Sequence, residues 1–201
     1  MTQPLRRRDL HDDPVVQFSR WFEAASESGA PVPEAVALAT ATPEGRPSAR
    51  MVLMKGFDER GFVFHTNLGS RKALELDANR LAALLFYWQE LGRQIRVEGS
   101  VARLAEPESE AYFRSRPTRS RLAAWASPQS RVIESRAALE ERLDELSREH
   151  ASREVPRPSF WGGFLLTPSE FEFWQHGEDR LHDRFRYRRC NGSWTIERLA
   201  P

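Results

Sequence analysis

The sequence predicts a mainly β fold, an antiparallel β-barrel with peripheral helices. Three observations carry that expectation. Five strand-like runs follow one another before residue 105, no long helices alternate with them as a parallel doubly wound sheet requires, and further hairpins close the chain. At 201 residues the chain is long enough for a sizeable core and is expected to form a single domain over 1–201, with an N-terminal arm and helix over 1–30.

Asp13-Pro14 opens the first element, with Asp as cap and Pro at the first helical position, and Val15, Phe18, Trp21, Phe22 and Ala25 follow at helical spacing. Gly29 is placed to end that helix. From residue 35 the period becomes that of strands: 35–42, 48–56 and 62–66 are separated by Pro43-Glu44-Gly45 and by Asp58-Glu59-Arg60-Gly61, an antiparallel meander. A short helix over 70–79 comes next, then strands over 81–88 and 94–104 joined by a turn at 90–92. Helices are expected over 107–114, 120–126 and 136–150, the last rich in Glu, Arg and Leu. Residues 153–159, with two prolines, form a loop, and strands over 163–166, 170–175, 184–190 and 194–199 close the chain.

Composition narrows the classes. With 40% hydrophobic and 29% charged residues the chain reads as a soluble globular protein, and no stretch approaches the roughly 20 apolar residues of a membrane span. The polar, Arg-rich start lacks the apolar segment of a signal peptide, and the one cysteine, Cys190, has no disulfide partner in the chain, so a cytoplasmic location is expected. Clustered Cys/His spacing is missing, so no metal site is expected. A net charge of +1 gives no overall drive toward nucleic acid or membrane. The basic residues are lopsided: of 30, only Lys55 and Lys72 are lysine. A compact ammonium suits a phosphate as a point charge, and chance is the alternative.

Four segments hold candidate chemistry. Arg50 and Lys55 end an apolar run with opposite parity, so they either serve two different anions or stand as solvated strand ends. Asn67-Leu68-Gly69-Ser70-Arg71-Lys72 offers a Gly turn, Ser as a helix cap and two cations in the first helical turn, where they oppose the helix dipole unless an anion lies between them and the backbone amides. A solvated helix start is the other reading. Tyr112, Arg116 and Ser120, four apart, share one face of a continuous helix, although Pro117 works against that helix, and all three can donate to a phosphate. Arg180, His182 and Arg184 alternate and share a face beside the aromatic run at 171–174 if their strand starts early, a setting for a planar anionic heteroaromatic ligand. Gly-x-Ser-x-Gly, His-Glu-x-x-His and Gly-x-Gly-x-x-Gly are all missing, which removes sequence support for the corresponding hydrolase, zinc-protease and dinucleotide-binding readings.

From Leu5 to Pro201 the chain resembles the pyridoxamine/pyridoxine 5′-phosphate oxidase family. The motifs carrying the likeness begin with Arg6-Arg7-Arg8-Asp9-Leu10, the run 50–55, Thr66-Asn67 with Ser70-Arg71-Lys72, Arg93-Gln94, Tyr112-Phe113 with Ser115-Arg116-Pro117, and Trp125-Ala126-Ser127 with Gln129-Ser130. Val155-Pro156, Trp161-Gly162-Gly163, Glu172-Phe173-Trp174-Gln175, Arg180-Leu181-His182-Asp183-Arg184 and Arg198-Leu199-Ala200-Pro201 continue it.

The resemblance implies an FMN-binding split β-barrel, a homodimer with FMN at the subunit interface, that oxidises phosphorylated B6 vitamers to pyridoxal 5′-phosphate with oxygen. By position it assigns Arg50, Met51, Val52, Leu53, Met54, Lys55, His65, Thr66, Arg71, Lys72, Gln94, Gln129, Ser130, Trp174 and Arg184 to FMN. It assigns Lys55, Tyr112, Arg116, Ser120, Arg180 and His182 to the substrate, with Arg180 and His182 as the catalytic pair that orients the substrate carbon toward the flavin. His65 stands where the family usually has Tyr, and Ala123-Ala124-Trp125 replaces the more usual Gly-Ala-Trp, a change expected to tighten a turn. The longer arm that covers the substrate in many relatives is expected to have no counterpart here, and Arg6, Arg7 and Arg8 are either a solvated tail or a second anion site for the phosphorylated product. Two other readings are a related FMN oxidase of phenazine biosynthesis, and a flavin or pyridoxal-phosphate carrier without turnover.

Overall fold

The computed structural model describes residues 3–201; the first two residues of the expected arm lie outside the described residues. Asp13 accepts from the Val15 and Val16 amides at 2.7 and 3.3 Å and, with Pro14, starts α1 (Pro14–Glu27) where the sequence puts it. Gly29, at φ 84°, follows its end in the left-handed conformation.

β1 (Ala35–Ala41), β2 (Pro47–Asp58) and β3 (Gly61–Asn67) form the expected meander. After α2 (Arg71–Ala78) the chain crosses over, and β4 (Leu81–Trp88) pairs with β1 rather than with β3. β5 (Arg93–Arg103) leads to α3 (Glu106–Ser115), α4 (Thr118–Ala126) and α5 (Arg136–Glu149), then to β6 (Trp161–Gln175), β7 (Asp183–Cys190) and β8 (Ser193–Leu199). The sheet order is β3-β2-β1-β4-β5-β6-β7-β8, and β3 also pairs with β6 from Phe62↔Leu166 to Asn67↔Trp161. That last pairing closes six strands into an antiparallel barrel. β7 and β8 continue the sheet outside it.

The sequence places two strands where β6 is one. Pro168 suggests a break, but it sits at a register shift where Glu98↔Glu170 is followed by Gly99↔Pro168, so Ser169 is the extra residue and the ladder resumes on both sides. Two consequences follow for the site. One half of β6 seals the barrel against β3; the other carries Trp174 out to β7.

Phe18 of α1 is fully buried, with ring centroids 4.9, 4.8 and 5.1 Å from Phe57, Phe62 and Phe86. Edge-to-face contacts of this kind anchor the helix on the barrel core. A smaller apolar cluster of Leu122, Ala126, Leu146 and Val155 joins α4 to α5 and the loop before β6. The arm is tied down as well. The Leu5 amide donates to Asp183 at 2.8 Å and the Arg198 guanidinium to the Leu5 carbonyl at 2.9 Å, against the outer strands.

Two expected alignments fail. Tyr112 lies in α3, but the helix stops at Ser115 and Arg116 is extended (ψ 147°), because Pro117 disfavours helical backbone in the residue before it. Ser120 belongs to α4, so the three residues share no continuous helix face. Arg180, His182 and Arg184 do not share a strand face either. Asp179 and Arg180 adopt positive φ (51° and 64°) in a short 3-10 turn and β7 starts only at Asp183. Ala123 lies within α4, so the substitution there tightens no turn.

Candidate active site

At the end of β3, Thr66 meets Lys72 of α2 and Gln129 of the loop after α4, while His65 meets Tyr112 of α3 and Trp161 of β6, and between them the chain forms a cleft of about 360 Å³. β2 lines it with Met51, Val52, Leu53 and Lys55; Tyr112, Arg116 and Trp161 form another wall; Lys72 and Gln129 lie at its polar end. Both lysines of the chain therefore open into one cleft, and among the described residues no Asp or Glu lines it.

Lys72 is 9% exposed, and its Nζ donates to Gln129 Oε1 at 2.8 Å, Thr66 Oγ1 at 3.1 Å and Ser70 Oγ at 3.4 Å. Those partners are all neutral. Burial, and then the nearby Arg50, pull the Lys72 pKa below its ordinary value. A desolvated ammonium without a carboxylate is costly unless an anion joins it, and the hydroxyls and amide around it are the groups that would share a phosphate. Ser70 occupies the cap position of α2 without making the side-chain cap bond; its hydroxyl turns to Lys72 and Thr66 instead.

Two expected cofactor residues answer a protein carboxylate in place of the cleft. Glu75, 6% exposed, accepts from Thr40, Ser48, Arg50 and Arg71, with Arg50 at 3.2 Å and Arg71 at 2.8 Å. Burial alone raises its pKa, but the hydrogen bonds from Ser48, Thr40, Arg71 and Arg50 outweigh it and bring the carboxyl down to about 2. The i,i+4 spacing of Arg71 and Glu75 was readable in the sequence. Arg50 reaching the same carboxylate from β2 was not. Arg71 and Ser130 border a neighbouring depression beside Gly69, and the Met54 side chain is buried in the core.

At the other end, His65 lies nearly parallel to Tyr112 (centroids 4.2 Å apart, 23°) and to Trp161 (5.1 Å, 11°). The Arg116 guanidinium sits over the Trp161 ring at 4.9 Å, and its Nη1 is buried without a hydrogen-bond partner. Burial lowers the Arg116 pKa and raises that of Tyr112. Ser120 does not line the cleft; Ala123 and Ala124, one turn further along α4, do. Trp161 and Asn67 line it too, from motifs that carry the resemblance but to which it assigns no role.

The remaining expected residues stand elsewhere. Gln94, Trp174 and Arg184 are direct neighbours across β5, β6 and β7, forming one row on one face of the sheet. His182 packs 4.6 Å from the Trp174 ring and accepts from the Gly177 amide, while Arg184 pairs with buried Glu172 at 2.7 Å. None of these, nor Arg180, lines the cleft of its own chain. Arg7 meets Asp12 at 2.6 Å and Arg8 approaches Asp9 at 3.9 Å on a short exposed turn of the arm.

Residues 23–148 match the family described as pyridoxamine 5′-phosphate oxidase, and residues 161–201 match the C-terminal dimerisation region of pyridoxine 5′-phosphate oxidase. The chain belongs to the pyridoxine/pyridoxamine 5′-phosphate oxidase family. The family relative from Rubrobacter xylanophilus is 59% identical over 94% of this chain and 87% of its own, and that from Salinibacter ruber 53% identical over 98% and 93%. Among solved structures, PhzG from Burkholderia lata 383 in complex with tetrahydrophenazine-1-carboxylic acid superimposes with a TM-score of 0.93 at 35% identity, covering 100% of this chain and 99% of that one. A related FMN-binding protein from Nostoc punctiforme, 21% identical over 96% of this chain and all of its own, shares the fold with a TM-score of 0.75.

The protein is thus an oxidoreductase with an FMN-binding split barrel, a family dimerisation region and FMN as cofactor. The residues present fit that group. The buried Lys72 ammonium ringed by neutral acceptors suits its phosphate, and an apolar β2 edge suits a ring system. Among the described residues no helix is long and apolar enough to cross a membrane.

Proposed function

We propose that the enzyme oxidises pyridoxamine and pyridoxine 5′-phosphates to pyridoxal 5′-phosphate, passing two electrons to oxygen and releasing peroxide; with the amine, water supplies the aldehyde oxygen and the nitrogen leaves as ammonia. The observation that carries the reading is the cleft with both lysines, Arg116 and no carboxylate: it has two cationic ends, enough for the phosphate of a cofactor and the phosphate of a substrate. Lys72, Thr66 and Gln129 hold the FMN phosphate, supported from behind by Arg50 and Arg71 on Glu75, while β2 from Met51 to Lys55 lies along the flavin. Lys55, Tyr112 and Arg116 take the substrate phosphate, with Ser120 one turn of α4 away. Bound FMN supplies the electron acceptor.

The row of Gln94, Trp174 and Arg184, with Arg180 and His182 beside it, completes the cleft of the second subunit in a homodimer. Two observations support this. The row stands off its own cleft, and four of these five residues fall in the family dimerisation region, 161–201. Arg180 and His182 orient the substrate carbon that loses electrons, and His182 is placed to hold the proton released from its alcohol or amine. Localisation in the cytoplasm accords with this chemistry.

The likeness to PhzG favours one alternative, oxidation of a tricyclic carboxylic acid that carries no phosphate. Lys55 and Arg116 argue against it, since two cations at the cleft end that the cofactor phosphate does not use match the double charge of a phosphate ester better than a single carboxylate. Anaerobic addition of pyridoxamine 5′-phosphate to the FMN-loaded protein distinguishes the readings. Flavin absorbance bleaches within seconds if the proposal holds. Bleaching by a dihydrophenazine carboxylic acid alone would replace it with the alternative, and no bleaching by either would leave a carrier.

A further inference from the structure

His65 is the oddest residue of the cleft. Its Nδ1 and Nε2 are both buried, and among the described residues neither has a hydrogen-bond partner. Buried ring nitrogens left empty are rare in folded proteins and mark a place where a group is still to arrive. The ring cannot turn away to find one. Tyr112 and Trp161 hold it nearly parallel to themselves, and the backbone of Gly163 packs so close that a Cβ there would come within 2.9 Å of the imidazole.

The charges around it decide its state. Lys55 faces it from β2 and Arg116 from the turn between α3 and α4, both cations; Tyr112 on α3 stays a neutral phenol; Trp161 and Gly163 on β6 bring no charge. No carboxylate lines the cleft. Burial first, then Arg116 and Lys55, hold the imidazole neutral and its pKa down to about 4. Of these causes, the two cations are the ones a bound anion cancels.

We propose that His65 takes up a proton when the phosphate ester of the substrate or product enters the cleft, becoming a third cation on that group beside Lys55 and Arg116. The inference rests on the reading of Lys55 and Arg116 as the substrate-phosphate end. A phosphate there compensates both cations and offers an acceptor to the bare ring nitrogen, and both effects favour the imidazolium. Binding at this site is therefore linked to pH. A return all the way to the ordinary imidazole value near 6.5 would make the ring about nine-tenths protonated at pH ~5.5 and lower affinity roughly tenfold between pH ~5.5 and ~7; the anion cancels the two cations and leaves the burial, so that is the upper bound of the effect. A tyrosine, which the resemblance leads one to expect at this position, does not titrate in that range, so the linkage belongs to the histidine.

The test is calorimetric titration of the FMN-loaded enzyme with pyridoxal 5′-phosphate, a product that does not turn over, in two buffers of different ionisation enthalpy. Wild type is compared with His65→Phe, which keeps the ring stack, and with His65→Gln, which keeps a polar group if the first variant folds poorly. Protonation of the ligand itself is common to all three proteins and cancels. The expected result is that at pH ~5.5 wild type takes up more protons than either variant, by up to about 0.9, that the excess vanishes near pH ~8, and that only wild type shows an extra loss of affinity, up to about tenfold, on raising the pH. Equal proton uptake in all three proteins with binding intact overturns the proposal and leaves the substrate-phosphate reading standing. Absence of binding even in wild type removes that reading, and the proposal with it.

Discussion

Lys72 carries its charge into a pocket of hydroxyls and an amide, an arrangement with little structural merit and a clear use. Losing one charged donor to a phosphate costs about 1.5–3 kcal/mol, ten- to a hundred-fold in affinity. Lys72→Ala is therefore expected to release FMN on dilution and to regain activity in excess FMN, measured by flavin fluorescence during titration of the apoprotein; wild-type affinity would return Lys72 to a packing role. The two proposed substrate groups separate by kinetics. On the proposed reading Arg116 acts on the substrate phosphate equally before and during reaction, so Arg116→Ala is expected to raise KM with little change in kcat. On the same reading Arg180 orients the reacting carbon, so Arg180→Ala is expected to slow anaerobic flavin reduction at saturating substrate, by about a hundred-fold if the misplacement reaches ~1 Å. Stopped-flow absorbance reads both, and a wild-type reduction rate in Arg180→Ala would take that residue out of the chemistry.

At the scale of elements, α2 owes its position to Glu75, which draws in Thr40 of β1, Ser48 and Arg50 of β2 and its own Arg71. Its carboxyl has a folded pKa near 2, below the ordinary 4.5, so the stabilisation is fully present above pH ~4.5 and is lost as the pH falls from there toward 2. The shift corresponds to roughly 3 kcal/mol. Chemical denaturation at steps between pH 6 and 2.5 should show wild type losing that increment, while Glu75→Gln starts lower and declines less. Parallel curves would mean that Glu75 does not hold the helix. The β5–β6 ladder has its own weak point at Gly99. A Cβ there would stand 2.1 Å from the Thr167 carbonyl oxygen, backbone against backbone, where the chain bends around Pro168. Gly99→Ala is expected to cost more than about 2 kcal/mol, because neither strand can retreat without opening the barrel.

For the whole molecule, the outer face of β2, β1 and β4 is apolar in register. Ala37 is flanked by Met51 and Leu85, Ala35 pairs with Leu53, and Tyr87 lies two residues beyond Leu85. Met51, Leu53 and Tyr87 are 64, 42 and 58% exposed, more apolar surface on one sheet face than scattered surface residues provide. Together with the dimerisation region over 161–201 this supports a two-fold partner whose Trp174 row closes each cleft. Leu85→Glu places a charge in the middle of that face. It should shift sedimentation from dimer toward monomer and release FMN together, and loss of neither would place the interface elsewhere.

Most of the elements are legible in the residues alone, because their signals are local: Asp13-Pro14 caps α1, Gly29 ends it, and alternating apolar residues write β1 to β5. The sequence also put the family motifs in order along the chain, and with them FMN. Both lysines were marked by their rarity. Tertiary structure alone decided which strands pair beyond neighbours, since β4 on β1 and β3 on β6 are contacts between segments far apart in the chain. It decided as well that Arg50 answers Glu75, that Pro168 bends one strand without ending it, and that Arg180 leaves the strand face. The physical reason is common to all of these. Periodicity and capping depend on residues a few positions apart, whereas the partner of a buried charge, the tolerance of a proline and the neutrality of His65 depend on what the fold packs against them.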